Sequence, residues 1–163
     1  MLSAETLAAA ESLVRDLAAR KLRVVTVESC TGGLLSAALT AVPGSSDVFE
    51  CGYVTYSNEA KTALVNVPRE LIMHQGAVSE GVAQAMAQGA LRLARVDIAV
   101  SITGIAGPGG GTEAKPVGLV HFGAVNPTGL LLLEHRIFPG DRTAVRDASV
   151  AFALSLVRRM MPE

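Results

Sequence analysis

Leu22-Arg23-Val24-Val25-Thr26-Val27, then Glu28-Ser29-Cys30-Thr31-Gly32-Gly33, then Leu34-Leu35-Ser36-Ala37-Ala38-Leu39 form one unbroken stretch near the start of the chain. The first six residues are rich in β-branched side chains and predict a strand. The last six are small or apolar and predict a closely packed helix. Between them lies a short polar turn with two glycines. Strand, glycine turn and helix in direct succession set the terms on which the flanking sequence is read.

Upstream, residues 3–20 predict a helix with Ser3 as cap, Glu5 near its positive end, and Leu7, Ala10, Val14 and Leu17 on one face. Downstream, Val48 to Tyr56 predicts a second strand, Ser57 caps a short helix through Lys61 to Val65, and Pro68 closes that segment. Ser79 opens a longer helix with Val82, Ala85, Met86, Ala90 and Leu93 facing inward, and Asp97 introduces the strand Ile98 to Thr103. Val117 to Ala124 and Leu130 to Phe138 flank the turn Asn126-Pro127-Thr128-Gly129 and predict an antiparallel hairpin. Asp141 caps a last helix carrying Val145, Ala148, Phe152 and Leu156. The order α, β, α, β, α, α, β, β, β, α predicts an α/β protein: a single three-layer α/β/α sandwich around a mixed β-sheet, one domain over residues 1–163.

Composition narrows the function classes. Half of the 163 residues are hydrophobic and only 18% are charged, which excludes a solvated, disordered chain. Fourteen basic against fifteen acidic residues leave a net charge of −1, so there is no global field for a nucleic acid polymer or a membrane surface, and an anionic ligand must be held locally. No apolar run approaches the ~18 residues that span a bilayer, and the N-terminus lacks the basic flank of a secretory signal. Cys30 and Cys51 make neither a disulfide framework nor a metal signature, which suits a reducing, cytoplasmic setting. Spare apolar surface makes a homo-oligomer the expectation.

Four segments can carry chemistry. In Glu28-Ser29-Cys30-Thr31-Gly32-Gly33, the serine stands where backbone N–H groups and the positive end of a helix dipole converge, and the glycines let a ligand approach the main chain. Such a site can host an oxyanion or a phosphate; Ser29 or Thr31 can equally be a helix cap. In Tyr56-Ser57-Asn58-Glu59-Ala60-Lys61, a helix capped by Ser57 puts Tyr56 and Lys61 at positions that pack together. A part-buried lysine there has a lowered pKa and can serve as a base, while a solvated lysine on a helix is the plain alternative. The segment from Thr103 to Thr112 has five glycines between Gly104 and Gly111, but matches neither a Walker loop nor a clean dinucleotide fingerprint. Arg142 and Arg146 fall on one face of the last helix, spaced to clamp a phosphate or to pair with acids. His74, His121 and His135 lack ligand-type spacing, so no metal is expected, and Cys30 reads as a buried structural thiol.

In combination, the segments at 28–33 and 56–61, Pro43-Gly44-Ser45-Ser46, Gly76-Ala77-Val78-Ser79, the stretch 103–112 and Lys115-Pro116-Val117-Gly118 resemble the CinA C-terminal domain family, from about Leu2 to Met161. That family includes nicotinamide-nucleotide amidases, which convert nicotinamide mononucleotide and water to nicotinate mononucleotide and ammonia in NAD salvage. The resemblance implies this reaction, with Ser29 as nucleophile, Lys61 as general base and Tyr56 as a partner that relays protons or orients the lysine. It implies no metal and no cofactor. Thr31, Gly32, Gly33, Thr103, Gly104, Gly107 and Arg142 are the expected substrate contacts. Two other readings stand beside it: a non-catalytic nucleotide-binding or regulatory module, and an amidase for another amidated nucleotide.

Overall fold

The strand expected at the start of the chain lies at the centre of a five-stranded sheet. In the computed structural model, which describes Met1–Glu163, β1 (Val24–Glu28) has all five residues buried. It is flanked by two parallel neighbours, β2 (Phe49–Val54) and β3 (Ile98–Gly104). β4 (Leu119–Val125) and β5 (Leu131–Ile137) continue antiparallel from β3, giving the order β2-β1-β3-β4-β5. The sheet is therefore mixed, as the sequence predicts. Glu28 pairs with Val54 on one side and Ile102 on the other, so the residues just beyond, Thr55, Ser29 and Thr103, emerge together at one edge.

Helices cover both faces. α1 (Ala4–Ala19), α2 (Leu34–Thr40) and α6 (Arg142–Met160) share a core with Val24, Ile98, Ile102 and Phe122. α3 (Asn58–Val65), α4 (Arg69–Gln75) and α5 (Glu80–Ala94) pack on the opposite face against Val25, Val27 and Ala99. The chain leaves β1 through α2 on one face and returns to β3 through α3–α5 on the other. A topological switch therefore falls between β1 and β3, and crevices in open α/β sheets form at the carboxyl ends of strands at such a switch. No helix is long and apolar enough to cross a membrane.

Local differences from the sequence reading have identifiable causes. α3 ends before Pro68, as expected, but the sequence reading lacks the helix that follows: Pro68 is the N-cap of α4, and its carbonyl accepts from Leu71 and Ile72. Seven residues are too few for a readable period. In α1 the inward stripe is Thr6, Ala10, Leu13, Val14 and Leu17, and Leu7 is exposed. Thr6 can be buried because its hydroxyl accepts from Ser3 Oγ at 2.9 Å. In α5, Val82, Met86 and Ala90 face inward, Ala85 is half-buried, and Leu93 lies outside the stripe. Phe152 of α6 is half-buried, its ring under the Arg136 guanidinium at 4.5 Å. The hairpin turn forms as expected, with Asn126 Oδ1 accepting from the amides of Thr128 and Leu130.

Candidate active site

The turn after β1 carries Ser29 and is tied to its surroundings at several points. Ser29 N donates to Ile102 O at 3.0 Å, tying the serine to β3. Gly32 N returns to Ser29 O and Leu34 N to Thr31 O, with Gly32 and Gly33 in the left-handed region that closes the turn. α2 begins only at Leu34, and its N-terminus is already satisfied by an internal anion. The fully buried Glu28 carboxylate accepts from Leu35 N (2.8 Å), Ser36 N (3.0 Å) and Ser36 Oγ (2.7 Å). The expectation that the α2 dipole receives an oxyanion or phosphate beside Ser29 is therefore corrected: Glu28 holds that end of the helix.

Lys61 reaches the serine from the other face. Thr55 N donates to Glu28 O at 2.8 Å, extending the β1–β2 pairing past β2. Ser57 then caps α3, accepting from Ala60 N at 3.0 Å. Side chains in a helix lean toward its N-terminus, so a lysine in the first turn points back at the strand ends. Lys61 Nζ donates to Thr55 O at 2.8 Å, Ser29 Oγ at 3.1 Å and, more weakly, Ser57 O at 3.5 Å. The residue is 1% exposed. None of the ion pairs includes it. Burial pushes its pKa below 10.5, opposed only by the nearby Cys30 thiol. That thiol is itself pushed up to about 11, chiefly by burial, and stays protonated at neutral pH.

Ser29 and Lys61 open into a cavity of about 290 Å³ whose opposite wall is the loop after β3. In that loop the amides of Ala106, Gly107, Gly109 and Gly110 donate to no protein acceptor. Thr103 lines the cavity, but its hydroxyl donates to Ala77 O at 2.8 Å, leaving its lone pairs, not its proton, for a ligand. At the rim, Arg142 donates to Gly107 O (2.8 Å) and to Tyr56 Oη (3.0 Å).

Of the residues expected at the site, Ser29, Tyr56, Lys61, Thr103, Gly104, Gly107 and Arg142 line this one cavity. Thr31, Gly32 and Gly33 do not. Thr31 is fully buried and its hydroxyl has no partner, and the two glycines shape the turn. Tyr56 is exposed, and its hydroxyl bonds Arg142, not the lysine it was expected to pack against. The two arginines also part company: Arg146 donates to Cys30 O and Thr31 O behind the serine turn. Sequence reasoning missed the anchoring part of Glu28, because a lone acid before a serine carries no signal of the helix it will cap.

Comparison with known proteins gives the same outline. The CinA C-terminal domain model matches residues 6–161. Nicotinamide-nucleotide amidohydrolase PncC of Escherichia coli (strain K12) is 48% identical over 154 residues, covering 94% of this chain and 93% of PncC. A CinA-like protein of Mycobacterium marinum is 52% identical over 155 residues; the match covers 93% of this chain but 36% of that longer relative. The crystal structure of competence/damage inducible protein CihA from Agrobacterium tumefaciens superposes with a TM-score of 0.95 at 42% identity, covering 98% of each chain. With the matched model spanning nearly the whole chain and the fold shared throughout, this protein belongs to the CinA C-terminal domain family.

Proposed function

We propose that this protein is an amidase that hydrolyses the carboxamide of nicotinamide mononucleotide to nicotinate mononucleotide and ammonia, with Ser29 as nucleophile and Lys61 as base. The observation that carries the reading is the 3.1 Å contact between Ser29 Oγ and a buried lysine without a carboxylate partner, at the wall of an open cavity. Further support is the 48% identity to a relative named for nicotinamide-nucleotide amidohydrolysis. Cys30 and Cys51 are both free, consistent with action in the cytoplasm.

The chemistry follows from a neutral amine. Uncharged Lys61 keeps two N–H donors on Thr55 O and Ser57 O, and its lone pair accepts the Ser29 O–H. Lys61 takes the hydroxyl proton as Ser29 Oγ bonds to the carboxamide carbon, and the carbonyl oxygen becomes an oxyanion. The amide of Cys30, adjacent to the nucleophile in sequence and donating to no protein oxygen, is the donor assigned to it. Collapse breaks the C–N bond as Lys61 returns the proton to the departing nitrogen, releasing ammonia and leaving an ester on Ser29. Water, deprotonated by Lys61, attacks that ester; the acid is released and Ser29 regains its proton. The free amides of residues 106–110 and Arg142 hold the anionic part of the substrate, and Tyr56 flanks its ring.

The test is ammonia release from nicotinamide mononucleotide and from a panel of other amidated nucleotides, with Ser29→Ala alongside. Release that is fastest on nicotinamide mononucleotide and abolished in Ser29→Ala is expected. Unchanged release in Ser29→Ala would remove the nucleophile from the proposal, and faster turnover of another amide would change the substrate.

A further inference from the structure

Arg142 and Arg146 lie one helical turn apart at the start of α6 yet serve different parts of the molecule. Arg142 reaches the rim of the cavity, whereas Arg146 lies behind the serine turn and lines no part of the cavity. Its Nε donates to Cys30 O at 3.1 Å and its Nη2 to Thr31 O at 3.1 Å. One planar guanidinium thus grips the two carbonyls that directly follow the serine. No carboxylate pairs with Arg146, so its charge is met by these carbonyl dipoles. A Cβ built on Gly32 would lie 3.5 Å from Nη2, so the guanidinium also packs against the glycine part of the turn.

This arrangement bears on the nucleophile. The turn contains two consecutive left-handed glycines, the residue type that leaves a backbone freest. A carbonyl and the next N–H are fixed antiparallel in a trans peptide, so gripping Cys30 O and Thr31 O sets the Cys30–Thr31 and Thr31–Gly32 peptide planes, which begin one residue after Ser29. We propose that Arg146 is a positioning residue for the Ser29 nucleophile, acting through the Cys30–Thr31 backbone and not on the substrate. The inference rests on Ser29 being the nucleophile, and its test is chosen to be independent of the amide substrate.

The readout is the rate at which a fluorophosphonate labels Ser29, a step in which Oγ bonds phosphorus, fluoride leaves and Lys61 takes the hydroxyl proton. Arg146→Met is expected to label at least about tenfold more slowly, because a displacement near 1 Å is enough to cost that much or more. Arg146→Lys keeps the charge but not the two-pronged fork, and is expected to be slow as well. Added guanidinium is expected to restore labelling in Arg146→Ala. On the amide, kcat falls while KM moves by less than about threefold. Wild-type labelling in Arg146→Met overturns the proposal, as does a raised KM with unchanged kcat, which would make Arg146 a substrate contact. Should Arg146→Met fail to fold, Arg146→Lys decides, and wild-type labelling there overturns it. If the parent protein labels at Ser29 but releases no ammonia, the amidase reading fails while the Arg146 effect stands or falls by itself.

Discussion

After β1 the chain turns through Ser29–Gly33, held through Ser29 N by Ile102, through Ser29 Oγ by Lys61 and through the Cys30 and Thr31 carbonyls by Arg146; after β3 it runs through residues 105–111 with five amides unpaired. Both turns are glycine-bearing and both border one cavity, yet their glycines do different work. Gly32 and Gly33 supply backbone angles that close a tight turn and do not line the cavity, whereas Gly107, Gly109 and Gly110 do line it. A reacting hydroxyl gains from having a single position. A ligand-holding loop gains from donors that no protein atom has claimed. The division implies that damage to the first turn lowers kcat and damage to the second raises KM.

The largest effect should come from the lysine that joins the first turn to α3. Lys61→Met is expected to lower kcat at least about 10³-fold while leaving KM within a few-fold, the mark of a group acting in the transition state. In the parent protein the rate should rise with pH through the lowered Lys61 pKa, and this limb should vanish in the variant. Stability of the parent should rise with pH as well. Because the folded pKa lies below 10.5, the unfolded chain binds more protons between the folded value and 10.5, so the parent gains stability as pH rises across that window. Lys61→Met escapes this dependence. Its melting temperature should exceed the parent's by most at the low-pH end of the window, with the margin shrinking toward pH 10.5. A margin that does not change with pH would mean that Lys61 is not held neutral by burial.

Next in size is the carboxylate beneath the first turn. Glu28→Gln must turn an NH₂ group toward one of the donors of α2 now bound by the Glu28 oxygens, Leu35 N or Ser36 N and Oγ. Mispairing a buried group of this kind costs about 1–3 kcal/mol. At roughly 2–4 °C per kcal/mol for a chain of this size, a drop of several degrees in Tm is the measurement. An unchanged Tm would show that α2 is anchored by its apolar face alone.

The parts of this site that were legible in the sequence are the short-range ones. Ser57 as cap and Lys61 one turn later place the lysine in the first turn of α3, where helix geometry lets it lean back toward the strand ends, while spacing leaves a solvated lysine as the alternative. The strand, turn and helix at residues 22–39 were readable for the same reason, and the alternation of elements gave the layered fold. What was not readable depends on residues distant in sequence. Arg146 meets Cys30 across 116 positions and Arg142 meets Tyr56 across 86, and either arginine could as well have faced solvent. Spacing alone therefore leaves open whether the two arginines clamp a phosphate or pair with acids. Glu28 misled for a subtler reason: a helix N-terminus attracts an anion, and nothing in the local sequence says that the anion is the protein's own.

The smallest of these effects divides the second turn within itself. Gly107 has φ +84° and a Cβ there would lie 2.6 Å from Val117 Cγ1, so Gly107→Ala must shift the loop. Gly109 has no such backbone strain and nothing within 4 Å of a built Cβ, so Gly109→Ala leaves the backbone where it is. If this loop holds the substrate through its amides, Gly107→Ala should raise KM about tenfold, or about 1.4 kcal/mol of binding, at nearly constant kcat. Gly109→Ala should stay within about twofold of the parent, since a methyl group in open space removes no N–H. A fall in kcat for Gly107→Ala at constant KM would place that loop with the nucleophile instead, and the division between a fixed turn and a ligand-holding one would no longer stand.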